Sequence, residues 1–141
     1  MFAVSTRTRY GLRALHYLST HDGNKPVSLH VIARELGIPF KYLENIFKLL
    51  TRSRIVRGER GPSGGYRLMR SPQKLTLYEI ADALDGPLMT VACITDSNMC
   101  ENSGRCPTRR VWDELQLHIN RFLRERTLAQ LFNGTQKENV T

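Results

Sequence analysis

No stretch of eighteen apolar residues occurs in this chain, so no segment is suited to span a membrane as a helix. The opening residues, Met1 to Tyr10, lack the hydrophobic region of a signal peptide, and the expected location is cytoplasmic. Internal repeats and low-complexity tracts are absent. So are the marks of common enzymes: there is no Cys-x-x-Cys pair, no glycine loop running from a strand into a helix, and no clustered His and carboxylate pair. A small redox enzyme is therefore the weakest reading, and no small-molecule substrate suggests itself. Cysteine is scarce at three residues, an odd number that suits a reducing compartment better than a disulfide framework.

Acidic residues are few and unevenly placed. Residues 1–70 hold 13 Lys and Arg against 4 acids, a balance of +9, whereas residues 71–141 hold 8 against 9. A basic excess confined to one half is the electrostatic footprint of a nucleic-acid-binding face. A basic surface serving solubility alone would give the same count. At 141 residues the chain can bury one core without staples.

What is present reads as a mainly α fold. Ser5 or Thr6 can cap a first helix with Tyr10, Leu12, Ala14, Leu15 and Leu18 as its apolar positions, ending before Asp22-Gly23-Asn24. Ser28 caps a second helix from Leu29 to Leu36, and Gly37 stops it. Pro39 opens a third, where Tyr42, Leu43, Ile46, Phe47, Leu49 and Leu50 are apolar and Lys41, Glu44, Asn45, Lys48 and Arg52 polar. Two helices around a glycine turn make a helix-turn-helix, whose second helix enters the major groove. From Ile55 to Leu68, two strand-like runs flank a loop rich in Gly and Pro, with arginines at 57, 60 and 67. Directly after a helix-turn-helix, such a hairpin is expected to be a two-stranded wing that offers arginine to a narrow minor groove. Glycine there lets the backbone lie close to the sugar–phosphate chain.

A fourth helix is expected over Leu75–Leu84, with Thr76 and Glu79 forming a capping box and Gly86-Pro87 beyond its end. After Pro107 comes a long helix with Val111, Leu115, Ile119 and Phe122 on one face, widened by Trp112 and Leu123. The first four helices already supply a core, so this stripe calls for a partner, and the same helix of a second subunit is the expected one. Folding back onto its own core is the alternative. A short helix from Thr127 to Phe132 and a polar tail complete the chain. The expected organisation is a DNA-binding domain over 1–86, a cysteine segment over 87–107, a dimerisation helix and C-terminal segment over 108–134, and a tail over 135–141.

All three cysteines, Cys93, Cys100 and Cys106, fall within fourteen residues, among Asp, Asn, Ser and Gly and just before Pro107. Cysteine that only packs is usually buried, so three in one polar loop ask for a chemical role. The spacing is C-x6-C-x5-C, neither a ferredoxin run nor a zinc knuckle. Soft thiolates suit an iron–sulfur cluster or zinc, and a thiol redox switch is the third option.

Taken together, Thr8-Arg9-Tyr10-Gly11-Leu12-Arg13-Ala14-Leu15, Ile38 with Tyr42-Leu43-Glu44, Arg60-Gly61-Pro62-Ser63-Gly64-Gly65-Tyr66 and the spaced cysteines resemble the IscR/NsrR type of bacterial winged-helix regulator, the Rrf2 superfamily. The resemblance covers about residues 4–132. It implies a homodimer that binds a palindromic double-stranded DNA operator and reports on iron–sulfur supply, nitric oxide or redox state through a cluster. It places Ser28, Pro39, Lys41, Tyr42, Glu44, Asn45, Lys48, Arg52, Arg60, Gly61, Gly64, Gly65 and Tyr66 in the DNA-binding set. Glu44 would discriminate between operator types, Asn45 could read adenine, and Arg7, Arg9 and Arg57 would position phosphates. The cluster would be held by Cys93, Cys100 and Cys106, with 2Fe–2S favoured and 4Fe–4S the alternative. This chain departs from the family at the fourth ligand: Arg109 stands where iron-supply relatives have His, and Arg9 where nitric-oxide-sensing relatives have an acid. Arginine stays protonated and is no ligand.

Overall fold

The computed structural model describes residues 3–21, 23, 25–88 and 105–133. Cys93, Cys100, most of the cysteine segment and the tail lie outside them. The element order is α1 (Thr6–His21), α2 (Leu29–Leu36), α3 (Phe40–Arg52), β1 (Val56–Glu59), β2 (Gly65–Leu68), α4 (Leu77–Asp85), α5 (Arg109–Arg124) and α6 (Gln130–Asn133). This is a winged helix-turn-helix followed by a long helix.

Local chemistry sets the helix ends. Ser5 Oγ accepts the backbone N–H of Thr8 at 3.0 Å, which makes Ser5 the cap of α1. Ser28 caps α2 by accepting from His30 N–H, and Gly37 closes it at φ +66°, donating to the Ala33 carbonyl. That left-handed turn sends Ile38 into the core and lets α3 start two residues later, while the His30 and Phe40 rings stack at 4.0 Å across the bend. Thr76 and Glu79 form both halves of the capping box on α4; losing such a cap costs about 1 kcal/mol.

The core gathers Leu15 and Leu18 of α1, Ile32 of α2, Leu43, Ile46, Phe47 and Leu50 of α3, and Ile80 and Leu84 of α4. Gly11 brings α1 and α4 together: a Cβ there would stand 2.4 Å from Leu84 Cδ1. β1 and β2 pair antiparallel, with Val56 opposite Leu68 and Arg57 opposite Arg67. The wing is fastened at its base, because Tyr66 and Val27 exchange N–H···O bonds of 2.8 and 2.9 Å and Tyr66 meets Phe47 edge-on at 4.9 Å.

The last short helix begins at Gln130, three residues later than the pattern suggested. Residues 127–128 are instead used for pairing: Leu128 N–H donates to the Leu75 carbonyl at 2.8 Å, Leu77 N–H donates to the Arg126 carbonyl at 2.9 Å, and the Leu128 side chain is fully buried. Gln130 Oε1 then accepts the Thr127 N–H at 2.8 Å. This pairing anchors the segment after α5 to residues 75–77 at the start of α4. α5 itself has no buried residue; Val111, Leu115, Leu117 and Phe122 are exposed, and it touches the domain through Leu123 and through Arg124 over the Tyr78 ring at 4.2 Å. No helix among the described residues is long and apolar enough to cross a membrane.

Candidate nucleic-acid interface and cysteine site

The face of α3 turned away from the core carries the expected reading residues. Lys41, Asn45, Lys48 and Arg52 are exposed, spaced so that they follow one side of the helix. Pro39 precedes the first turn and offers no side-chain cap, so the N–H groups there remain open to an anion. Two shallow grooves run between this face and the start of α1. One is lined by Thr6, Tyr10, Pro39, Lys41, Tyr42 and Asn45; the other by Arg7, Tyr42, Asn45, Lys48 and Arg52, with Ile46 and Leu49 at its floor. Arg7, Lys48 and Arg52 make the second groove cationic, a character that suits a phosphate strand beside a groove-seated helix.

Two side chains have double duty. Tyr42 is half-buried against Tyr10, edge-on at 5.7 Å, so its ring supports the groove while its edge lines it. Glu44 lies 3.9 Å from Lys41 one turn earlier. This partly exposed pair keeps the acid from standing alone on a basic face and engages one carboxylate oxygen, leaving the other able to accept.

The wing arginines divide. Arg57 and Arg67 face each other across the two strands and both reach Glu59, at 3.3 and 3.7 Å. Arg60 in the loop is exposed and without such a pair among the described residues, which leaves it the freest to extend toward DNA. Gly64 and Gly65 have an internal reason to be glycine. A Cβ on Gly64 would meet the Glu59 carbonyl at 2.4 Å, and one on Gly65 would meet the Val27 carbonyl at 2.4 Å. Gly61 sits at φ +118°, in the region that favours glycine. Ser28 is spent as the α2 cap, and Tyr66 is half-buried against Phe47.

Of the three cysteines, Cys106 lies within the described residues, just ahead of α5 and partly exposed. Its thiol lies 3.2 Å from Thr108 Oγ1. The Thr108 hydroxyl, then the Thr108 N–H, pull its pKa below the ordinary thiol value; slight burial opposes, and the Arg109 N–H and charge help. The ligating and nucleophilic form of cysteine is the thiolate, so this surrounding suits a soft metal centre as well as thiol chemistry. Neither substituted position supplies a fourth donor: Arg9 is turned to the Thr6 hydroxyl at 3.0 Å, and Arg109 sits against Cys106. Among the described residues no three His, Cys, Asp or Glu converge as a metal site.

Sequence reasoning missed Asp85. At the end of α4 its carboxylate accepts from the Ser5 and Thr8 hydroxyls and lies 3.8 Å from Arg7 Nε. Arg7 also donates to the Leu84 carbonyl at 3.0 Å. Three residues on, the Leu88 carbonyl accepts from Gln116 of α5. These partners are dozens of positions apart, and no local pattern announces them.

Comparison with known proteins agrees with this architecture. The Rrf2 family model, described as an iron-dependent transcriptional regulator, matches residues 4–134. The chain is 36% identical over 128 residues to a putative HTH-type transcriptional regulator of Azotobacter vinelandii, covering 91% of this chain and 77% of that protein. It is 31% identical over 133 residues to the HTH-type transcriptional regulator IscR of Sodalis glossinidius, covering 94% and 80%. Among solved structures, CymR, the global cysteine regulator of B. subtilis, superimposes with a TM-score of 0.79 at 30% identity, covering 96% of this chain and 100% of that one. These relatives are all regulators. The chain belongs to the Rrf2 family of winged-helix transcriptional regulators.

Proposed function

We propose that this regulator binds a palindromic double-stranded operator as a homodimer, and that an iron–sulfur cluster held by Cys93, Cys100 and Cys106 controls the binding. The observation that carries the DNA reading is the trough in which Arg7 of α1 joins Asn45, Lys48 and Arg52 on the open face of α3. Asn45 and Glu44 read base edges, Lys48, Arg52 and the first-turn N–H groups of α3 hold phosphates, and Arg60 enters the minor groove. The exposed apolar stripe of α5 supports the dimer, since monomers seldom leave such a surface in water. Two reading heads then face half-sites about one helical turn apart.

The cluster reading rests on three clustered thiols, on the family's description as iron-dependent, and on the depressed Cys106 thiol. When bound, the cluster supplies a centre sensitive to iron supply, redox state and nitric oxide. Holding three thiolates together restricts the chain between α4 and α5. Its ends are the Gln116-bound Leu88 and the first turn of α5, so restriction there bears on the spacing of the two reading heads. A 2Fe–2S cluster is favoured, with 4Fe–4S the alternative, and the fourth ligand is neither Arg9 nor Arg109. A thiol or zinc switch on the same scaffold is the second reading, favoured by the lowered Cys106 pKa and by the likeness to CymR.

Anaerobic purification, a visible absorption and circular dichroism spectrum, and iron and sulfide counts per chain test this. Brown protein that loses iron and sulfide on Cys100→Ala supports the cluster and its spectrum names the type. Colourless protein after reconstitution leaves the DNA reader and moves the sensor to thiol or zinc chemistry.

A further inference from the structure

The start of α1 is fastened to the end of α4 around the carboxylate of Asp85. Asp85 takes the hydroxyls of Ser5 and Thr8 and lies 3.8 Å from Arg7 Nε, with its side chain 20% exposed. Thr8 is the one buried polar residue among those described. Arg7 is held from two directions. Asp85 takes its Nε side, and the Leu84 carbonyl, at the electronegative end of α4, takes Nη1 at 3.0 Å. Its side chain stays half-exposed and forms the wall of the trough opposite Lys48 and Arg52.

An acid at the edge of a DNA-facing surface ordinarily weakens binding by repelling phosphate. Here the geometry points to the opposite net effect: we propose that Asp85 is a positioning residue for DNA binding, which fixes Arg7 in the trough as a phosphate contact. An arginine on a free side chain must give up rotamer freedom to meet a phosphate; one already clamped gives up less. Asp85 therefore contributes to binding through Arg7, although its own charge opposes it. The inference rests on the reading that the α3 face binds duplex DNA.

The test uses the full chain and a fluorescein-labelled duplex of about 30 base pairs of mixed sequence, because phosphate contacts do not depend on sequence. Affinity is measured by anisotropy across salt concentrations, with folding followed by circular dichroism. Arg7→Gln should lower the magnitude of the negative slope of log K against log salt by about 0.9 per chain. Asp85→Ala, although it adds one positive charge per chain, should weaken binding about 3- to 10-fold and lower the slope by a similar amount. In the Arg7→Gln background, Asp85→Ala should add nothing. Ser5→Ala, which loses the α1 cap but leaves the Arg7–Asp85 pair, should keep the wild-type slope. If Asp85→Ala does not fold, Asp85→Asn keeps the side-chain shape, removes the charge and should show the same fall in slope.

Tighter or unchanged binding by the folded Asp85 variant, or losses that add to those of Arg7→Gln, would overturn the proposal. Wild-type protein that shows no salt-dependent binding to duplex would instead sink the DNA-face reading beneath it.

Discussion

Substituting Gly65 by Ala should loosen the wing from the domain. A Cβ at that position would stand 2.4 Å from both the carbonyl carbon and oxygen of Val27 and 2.8 Å from Ser28 N, all backbone atoms that cannot rotate aside. Ordinary contact needs about 1 Å more, so β2 has to move off Val27. That movement threatens the two Val27–Tyr66 hydrogen bonds, at 2.9 and 2.8 Å, each contributing about 0.5–1.5 kcal/mol net. It also strains the edge-on contact of Tyr66 with Phe47 at 4.9 Å, worth roughly 0.5–1.5 kcal/mol. The expected destabilisation is about 1.5–4.5 kcal/mol, or roughly 5–18 °C in Tm for a domain of this size. Urea denaturation followed by far-UV circular dichroism measures it. Gly23→Ala is the control, since nothing lies within 4 Å of a Cβ there. A Gly65→Ala protein within about 0.5 kcal/mol of wild type, like an ordinary surface change, would refute the reasoning.

Four further outcomes follow. Asn45→Ala should cost about 1–3 kcal/mol of operator affinity and relax preference at one base position, read by binding to a set of single-base operator variants. Arg60→Ala should weaken operator binding with little change in melting temperature, because its side chain is exposed and unpaired within the wing. Leu115→Asp with Phe122→Asp should convert the proposed dimer to monomer in sedimentation velocity, as both lie on the exposed stripe of α5. Burial tends to raise the Glu79 pKa, but the Thr76 N–H and hydroxyl and the Arg70 guanidinium pull it below the ordinary value. A depressed carboxylate stabilises the fold above its unfolded pKa and loses that stabilisation as pH falls through its folded one. Wild type should therefore lose stability more steeply than Glu79→Gln between about pH 5 and 3, and parallel curves would show that the capping carboxylate is not linked to folding.

What was legible in the sequence was what neighbouring residues decide. Ser28, Gly37 and the Thr76–Glu79 box fix helix ends through bonds spanning four residues or fewer, and each was readable from residue type and spacing. The exposed stripe of α5 was readable as well, because its period stands out against polar neighbours. Arg57, Arg60 and Arg67 looked alike along the chain; the strand register, which sets Arg57 opposite Arg67 with Glu59 between them, separates them. Thr127 and Leu128 continue a helical pattern but pair with residues 75–77, since burying Leu128 and bonding the Leu75 carbonyl outweigh one further turn of a short helix. Asp85 was silent for the same reason: its partners lie 77 and 80 positions away.

The most direct test of the account is operator affinity measured on anaerobically loaded and cluster-free protein, side by side at one fixed ionic strength. A difference of about tenfold or more, abolished by Cys100→Ala, is the predicted result and corresponds to roughly 1.4 kcal/mol of coupling between the cysteine segment and the reading heads. Equal affinity for every operator tested, with iron and sulfide shown to be bound, would contradict it.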